Sequence, residues 1–379
     1  MPASSRSERQ SNLELLRIFA MFLIVCHHIM VHGAFLKFPP SFTTNAILSQ
    51  LMSSGGKVGV DIFVIITGYF LIEKAPKITS IVKLYLECVF YLTAITLIFV
   101  GAGRIPWSPK LISTFVYPFG LKGGEYWFVA AYLDLMLVAP FITIGMRAFS
   151  KKQYLALLIV LTAAWSGFRT FSWMFKPVFN YGEYAGYSTL GFFVLLFLWG
   201  GYTRKHIDIK SISMCRIFAA AAVTVLLLVA WILIKDLRSS GRHWQYVRDM
   251  NSMLVLAMSM IAFLAFAKLK PLHIKAVNIA ASTMFGVYLI HDVDLVRRWL
   301  WPEVIRPFDH YNDWYFILYC LGASVLVLIA CSLIDFARQL ALRPFQRLLS
   351  PLSKADAWLS DLVRPDSGAL APENTQKGR

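Results

Sequence analysis

Charge is scarce in this sequence. Only 15% of its 379 residues are Asp, Glu, Lys or Arg, against about 25% in ordinary soluble domains, and this excludes a typical solvated globule. Acidic groups are the scarcer kind, 21 against 37 basic ones, for a formal net charge of +16. That excess would suggest nucleic acid, but the basic residues cluster between apolar runs, with neither zinc-finger spacing nor an aromatic-basic RNA-binding pattern. Nucleic acid is therefore not an expected partner. Cysteine is also sparse: Cys26, Cys88, Cys215, Cys320 and Cys331 lie in or beside apolar stretches without a Cys-x-x-Cys pair, so buried thiols are expected rather than a disulfide or metal framework. The opening "MPASSRSERQSN" lacks the short apolar core and cleavage site of a secretory signal, so the first apolar stretch is expected to remain as an anchor. No internal repeat of fixed period is visible, which weighs against a transporter built from duplicated halves.

What is abundant is apolar surface. The composition is 58% hydrophobic, with 29 Phe and 11 Trp. A window of about 19 residues, the length that crosses a hydrocarbon core, predicts an all-α polytopic membrane protein with about ten transmembrane helices. They fall near 13–33, 55–73, 79–101, 126–146, 153–170, 188–203, 215–235, 252–269, 279–296 and 314–337. Short basic connections, "EKAPK", "RAFSKK", "TRKHIDIKS" and "KLKPLHIK", alternate with longer segments of mixed charge carrying Trp107, Trp173, Tyr181, Tyr184, Tyr187, Trp244, Trp299 and Trp301. Lys and Arg on short loops mark the cytoplasmic side, so both termini are expected there. The chain divides into an N-terminal segment 1–10, a transmembrane domain 11–338 and a cytoplasmic tail 339–379. The polar, Pro- and Gly-containing end "DLVRPDSGALAPENTQKGR" is expected to be disordered.

The first span, "LELLRIFAMFLIVCHHIMVHG", carries Glu14, Arg17, His27, His28 and His32. Ionisable groups inside a span are costly and normally face a bundle interior or a polar cavity. Eleven helical steps return His28 to within about 20° of Arg17, roughly 16 Å along the axis. Glu14 and His32 flank that line, while His27 points about 100° away from His28. A cation and an imidazole on one buried stripe are what a passage through the bundle, with chemistry at its far end, requires. Snorkelling of Arg17 and core hydrogen bonding of His28 are the alternatives. His28 and His32 have the i, i+4 spacing of a metal pair, but no Glu lies between them and no third ligand is evident, so no metal site is expected. Asp61 stands four residues after Lys57, as an ion pair would require.

"LELLRIFAMFLIVCHH" followed by "GVDIFVIITGYFL" resembles the opening of the membrane-bound acyltransferase 3 family, whose hallmark is Arg, ten residues, then His in the first span: here Arg17 and His28, with Glu14 at the preceding acidic position. Gly59, Val60, Asp61, Phe63 and Gly68 match the second-span pattern, with Val64 and Thr67 as departures. "EYWFVAAYL", with Tyr126, Trp127 and Tyr132, resembles the start of the family's fourth span. "FGVYLIHD", with Tyr288 and His291, resembles the end of its ninth. After the second span this chain offers Lys74, Lys77 and Lys83 where many members are Arg-rich, so bidentate phosphate contacts are in doubt there. No hydrolase-like domain follows the tenth span, so the membrane domain is expected to act alone or with a separate partner.

The resemblance implies O-acyl transfer, most often acetyl, from cytoplasmic acyl-CoA to a sugar hydroxyl of an envelope glycan. Acetyl-CoA is then the donor substrate rather than a bound cofactor, and the lipid bilayer is a standing partner. It also implies that Arg17, with Glu14, serves the donor and that His28 acts on the acceptor hydroxyl, either as general base or through an acylated intermediate. Asp61, Tyr126, Trp127, Tyr288 and His291 are candidates for donor or acceptor binding. The competing class is a secondary transporter or exporter using intramembrane His and Glu as proton relays.

Overall fold

The computed structural model describes residues 10–34, 43–109, 126–168, 170–171, 189–238 and 249–364. Among the described residues the chain is helical and contains no strand. The helices are α1 (Ser11–His28), α2 (Thr44–Leu71), α3 (Ile78–Gly101), α4 (Trp127–Arg147), α5 (Lys151–Thr162), α6 (Thr189–His206), α7 (Met214–Arg238), α8 (Met253–Lys268), α9 (Lys275–Ser282), α10 (Met284–His291), α11 (Asp294–Trp299), α12 (Phe316–Ala341) and α13 (Ser353–Leu362). Every apolar segment read from the sequence carries a helix. Among the described residues, however, only six are long and apolar enough to cross a bilayer, or seven if one bent pair counts as a span. The protein is thus a polytopic helical membrane protein with six to seven candidate spans rather than a demonstrated ten. α8, at 16 residues, is too short for a straight crossing at 1.5 Å per residue, and α5 reaches Gly167 only by passing into a π-helix over Ala163–Gly167.

Two expected boundaries move for physical reasons. α2 begins at Thr44, eleven residues before the expected 55, because Thr43 caps it by accepting from the Ala46 amide. The added turns contain Ser49, Gln50, Ser53 and Ser54, all buried, and hydropathy alone discounts such residues. Ser53 and Ser54 satisfy their hydroxyls on the carbonyls of Ser49 and Leu51, which makes them tolerable inside a bundle. The expected span 279–296 is broken: Lys275–His291 and Asp294–His310 meet at 71°. Asp292 caps α10, and Val293 is extended at φ −68°, ψ 139°.

α1 and α2 form the centre. In their most apolar windows 56% and 67% of residues are buried, against 22% for the α7 window and 28% for α3 and α12, so the helix with most ionisable groups is also shielded from lipid. Close approach depends on glycine. A Cβ on Gly59 would run into the Ala20 carbonyl and Ile24 of α1, and one on Gly56 into the ring of His27. On the other face of α2, Gly68 lies against the Phe197 backbone, while Gly200 of α6 lies against the Ile65 carbonyl. Small residues let membrane helices pack backbone to backbone.

The start of α1 is pinned by polar contacts. Ser11 Oγ accepts from the Ile274 amide at 2.7 Å and donates to Asn278 at 2.8 Å, while Asn12 donates to the Phe266 carbonyl at 3.1 Å. The expected tail is structured over its first part. Residues 343–352 form a 3-10 segment leading into α13, whose Asp356 accepts from the Thr79 amide at 3.0 Å and hydroxyl at 2.7 Å, capping α3. The last residues of the expected disordered end, 365–379, and the segment 1–9 lie outside the described residues, as do Trp173, Tyr181, Tyr184, Tyr187 and Trp244. Of the remaining aromatics of the expected belt, Trp107 is exposed but Trp301 is fully buried beside His291. Four cysteines are buried as expected; Cys215 is exposed on α7.

Candidate active site

A cavity of about 400 Å³ runs beside α1 and is lined by Glu14, Arg17, His28 and His32 from that helix and its extension. Arg17 and His28 therefore face the same space, as the eleven-residue spacing requires. At the Arg17 end, the guanidinium bonds Glu14 Oε1 at 2.6 Å. Toward the same end, the Tyr132 hydroxyl meets Thr67 Oγ1 at 3.0 Å; Thr67 donates to the Phe63 carbonyl, so the phenol is the donor. At the other end α1 passes into a π-helix over Ile29–Ala34, a widening often found at functional positions, and the His32 ring comes within 5.4 Å of His28.

The hydrogen bonds around His28 define its chemistry. His291 Nδ1 lies 2.5 Å from the Val287 carbonyl oxygen. A carbonyl only accepts, so Nδ1 carries the proton and neutral His291 leaves Nε2 as an acceptor. That Nε2 is 2.8 Å from His28 Nδ1, which must then donate. His28 is left with its lone pair on Nε2, 3.5 Å from Asp292 Oδ1. One backbone carbonyl thus sets the tautomer of two rings and makes the outer nitrogen of His28 a proton acceptor at the cavity.

The other sequence candidates divide between wall and support. Trp127 and Tyr288 line the cavity. His291 stands behind His28, fully buried. Tyr126 is fully buried and donates to the Leu289 carbonyl at 3.0 Å, bracing α10. Asp61 is fully buried on the side of α2 facing α8, 3.5 Å from the Ser259 hydroxyl, and the cavity wall does not include it. Lys57, expected beside Asp61, enters the wall with its ammonium 5.1 Å from the Trp127 ring centre, a cation–π distance. His27, expected to point elsewhere, reaches the wall and also bonds the Ser53 carbonyl.

Sequence reasoning missed Asp292 and Arg297. Arg297 Nη1 lies 3.6 Å from Asp292 Oδ1, and His32 Nε2 lies 4.0 Å from it. Asp292 directly follows His291 in "YLIHD", and the helix break that turns it toward His28 is visible only in the fold. His28, His32 and Asp292 bring ligating atoms within 4.8 Å of one another, so the fold supplies the third partner absent from the sequence pattern. The Arg297 guanidinium on the same oxygen opposes a divalent charge, and we assign no metal.

A family model described as an acyltransferase domain matches residues 10–336. The chain belongs to that acyltransferase family. No curated protein and no solved structure matches it. The match encloses every cavity residue named above, making this a membrane acyltransferase, and nothing in it supports a transporter. The cavity therefore lies inside the matched domain, with His28 Nε2 on its wall.

Proposed function

We propose that this acyltransferase moves an acyl group, most simply acetyl, from cytoplasmic acyl-CoA to a hydroxyl of an envelope glycan, with both termini in the cytoplasm of a cell whose inner membrane it spans. The observation that carries the reading is the single cavity shared by Arg17 and His28. Arg17 attracts phosphate or carbonyl groups of the donor at the cytoplasmic end, and the pantetheine arm lies along the cavity. The acceptor hydroxyl gives its proton to His28 Nε2 as its oxygen attacks the thioester carbonyl carbon; the carbon–sulfur bond then breaks, and the ring returns the proton to the departing sulfur. Trp127 and Tyr288 offer aromatic faces of the kind sugars stack on. The basic short loops support the orientation.

The test uses membranes containing the full-length protein and acetyl-labelled CoA thioester. Label is expected in envelope polysaccharide, and His28→Ala should abolish it while the protein stays inserted. Transfer that persists in this variant would remove His28 from the mechanism. Mass spectrometry of envelope glycans from cells with and without the gene should show an acetyl mass difference that names the acceptor.

A further inference from the structure

The tautomer of His28 sets up a conflict that the fold resolves. With the lone pair of His28 on Nε2, that nitrogen faces Asp292 Oδ1 at 3.5 Å, and two electron-rich atoms at that distance repel unless a positive charge comes between them. Asp292 is 2% exposed and borders the cavity together with His28. Arg297, 3.6 Å from the same oxygen, supplies the counter-charge between turnovers. When His28 takes a proton the repulsion becomes a charge-assisted attraction.

We propose that Asp292 is a positioning residue for acyl transfer: its carboxylate holds the imidazolium that His28 becomes while carrying the acceptor's proton to the leaving sulfur, and Arg297 is the counter-charge of that carboxylate at rest. The proposal rests on the function proposed above. The proton leaves the acceptor oxygen, resides on His28 Nε2 beside Asp292 Oδ1, and ends on the thiolate of CoA; Asp292 itself neither gains nor loses a proton over the cycle. The other groups around His28 are fixed in kind. His27 and His32 come from its own helix and extension, Lys57 from α2, His291 from α10 and Arg297 from α11. Lys57 and Arg297 disfavour a cation at the ring, and among the described residues Asp292 is the carboxylate within 4 Å of it that favours one.

The experiment measures label transfer from acetyl-CoA to envelope polysaccharide as a function of pH, in membranes carrying wild type, Asp292→Asn, Asp292→Glu and His28→Ala at matched protein levels. An opposite charge raises the basicity of an imidazole. Removing it should therefore move the acidic limb of the Asp292→Asn profile to lower pH, by about one unit. Its plateau should fall roughly tenfold because the base is weaker, with the KM for acetyl-CoA nearly unchanged. Asp292→Glu should recover part of the rate and return the limb toward wild type. A uniform loss at every pH with an unmoved midpoint would overturn the proposal, as would equal losses in the Asn and Glu variants. So would a stoichiometric divalent metal in the purified protein that Asp292→Asn removes. If His28→Ala transfers like wild type, the functional reading itself fails and takes this proposal with it; if His28→Ala is dead but Asp292→Asn keeps the wild-type profile, only the role of Asp292 falls.

Discussion

At the scale of single residues, His291 and Arg17 make separable predictions. His291 reaches no substrate space of its own, yet it converts the direction of the Val287 carbonyl into the protonation pattern of His28. Replacing it with Phe keeps the bulk but removes the acceptor for His28 Nδ1, so either ring nitrogen of His28 can carry the proton. Transfer is expected to drop about 10²-fold, the lower range for losing an ordered general base, with the KM for acetyl-CoA unchanged; a change in KM alone would show that His291 contacts the donor instead. Arg17→Lys keeps the charge but loses the planar fork that Glu14 now orients at 2.6 Å. Here the expected change is the reverse, a KM for acetyl-CoA raised roughly tenfold, or about 1.4 kcal/mol of binding, with kcat little altered. Arg17 was legible because helical spacing alone puts it on one line with His28, whereas His291 was marked only by the family resemblance of "FGVYLIHD". Asp292 was not legible, since its importance comes from a bend that carries it back to a residue 264 positions earlier, and no local pattern encodes that return.

At the scale of helices, the site depends on how closely α2 lies against α1. A side chain at Gly59 has no room beside the Ala20 carbonyl, whereas Gly101, at the end of α3, has open space around its missing Cβ. Gly59→Val is expected to destabilise the protein by about 1–3 kcal/mol, the usual cost of overpacking, read as a lower melting temperature in detergent, and to reduce transfer by displacing the His28 wall. Gly101→Ala serves as the control and should leave both unchanged. An unaltered melt for Gly59→Val would mean that the helices part without cost. Glycine spacing along α2 was visible in the sequence, but its meaning was not: the same glycines suit a lipid-facing helix until a partner backbone is known to cross them. The buried serines before Gly55 were hidden for a related reason, because hydropathy scores a hydroxyl without knowing that it is bonded to its own helix.

At the scale of the whole molecule, the helix that carries Tyr288 and His291 is held against α12 by a buried polar cluster beside its first turn. Asp335 of α12 is fully buried and accepts from the Tyr91 hydroxyl of α3 at 2.6 Å, from Arg338 Nε at 2.8 Å and from Gln339 Nε2 at 2.7 Å. Arg338 also bonds Glu87 of α3 at 2.5 Å. Gly286 gives α10 its close seat on the Asp335 carboxylate, which a Cβ there would overlap. One arginine thus neutralises two carboxylates from two helices, and α10 leans on the result. Arg338→Leu leaves both acids without their cation and is expected to cost about 3–5 kcal/mol, measured as loss of folded protein on heating in detergent. The interpretation is separable from simple loss of side-chain packing. Adding Glu87→Gln to Arg338→Leu removes one of the stranded charges, so the double variant should be more stable than Arg338→Leu alone, although Glu87→Gln in the wild-type background should be destabilising. Strictly additive losses in that cycle would show that the cluster acts through shape rather than charge, and the electrostatic account of how α10 is held behind His28 would have to be given up.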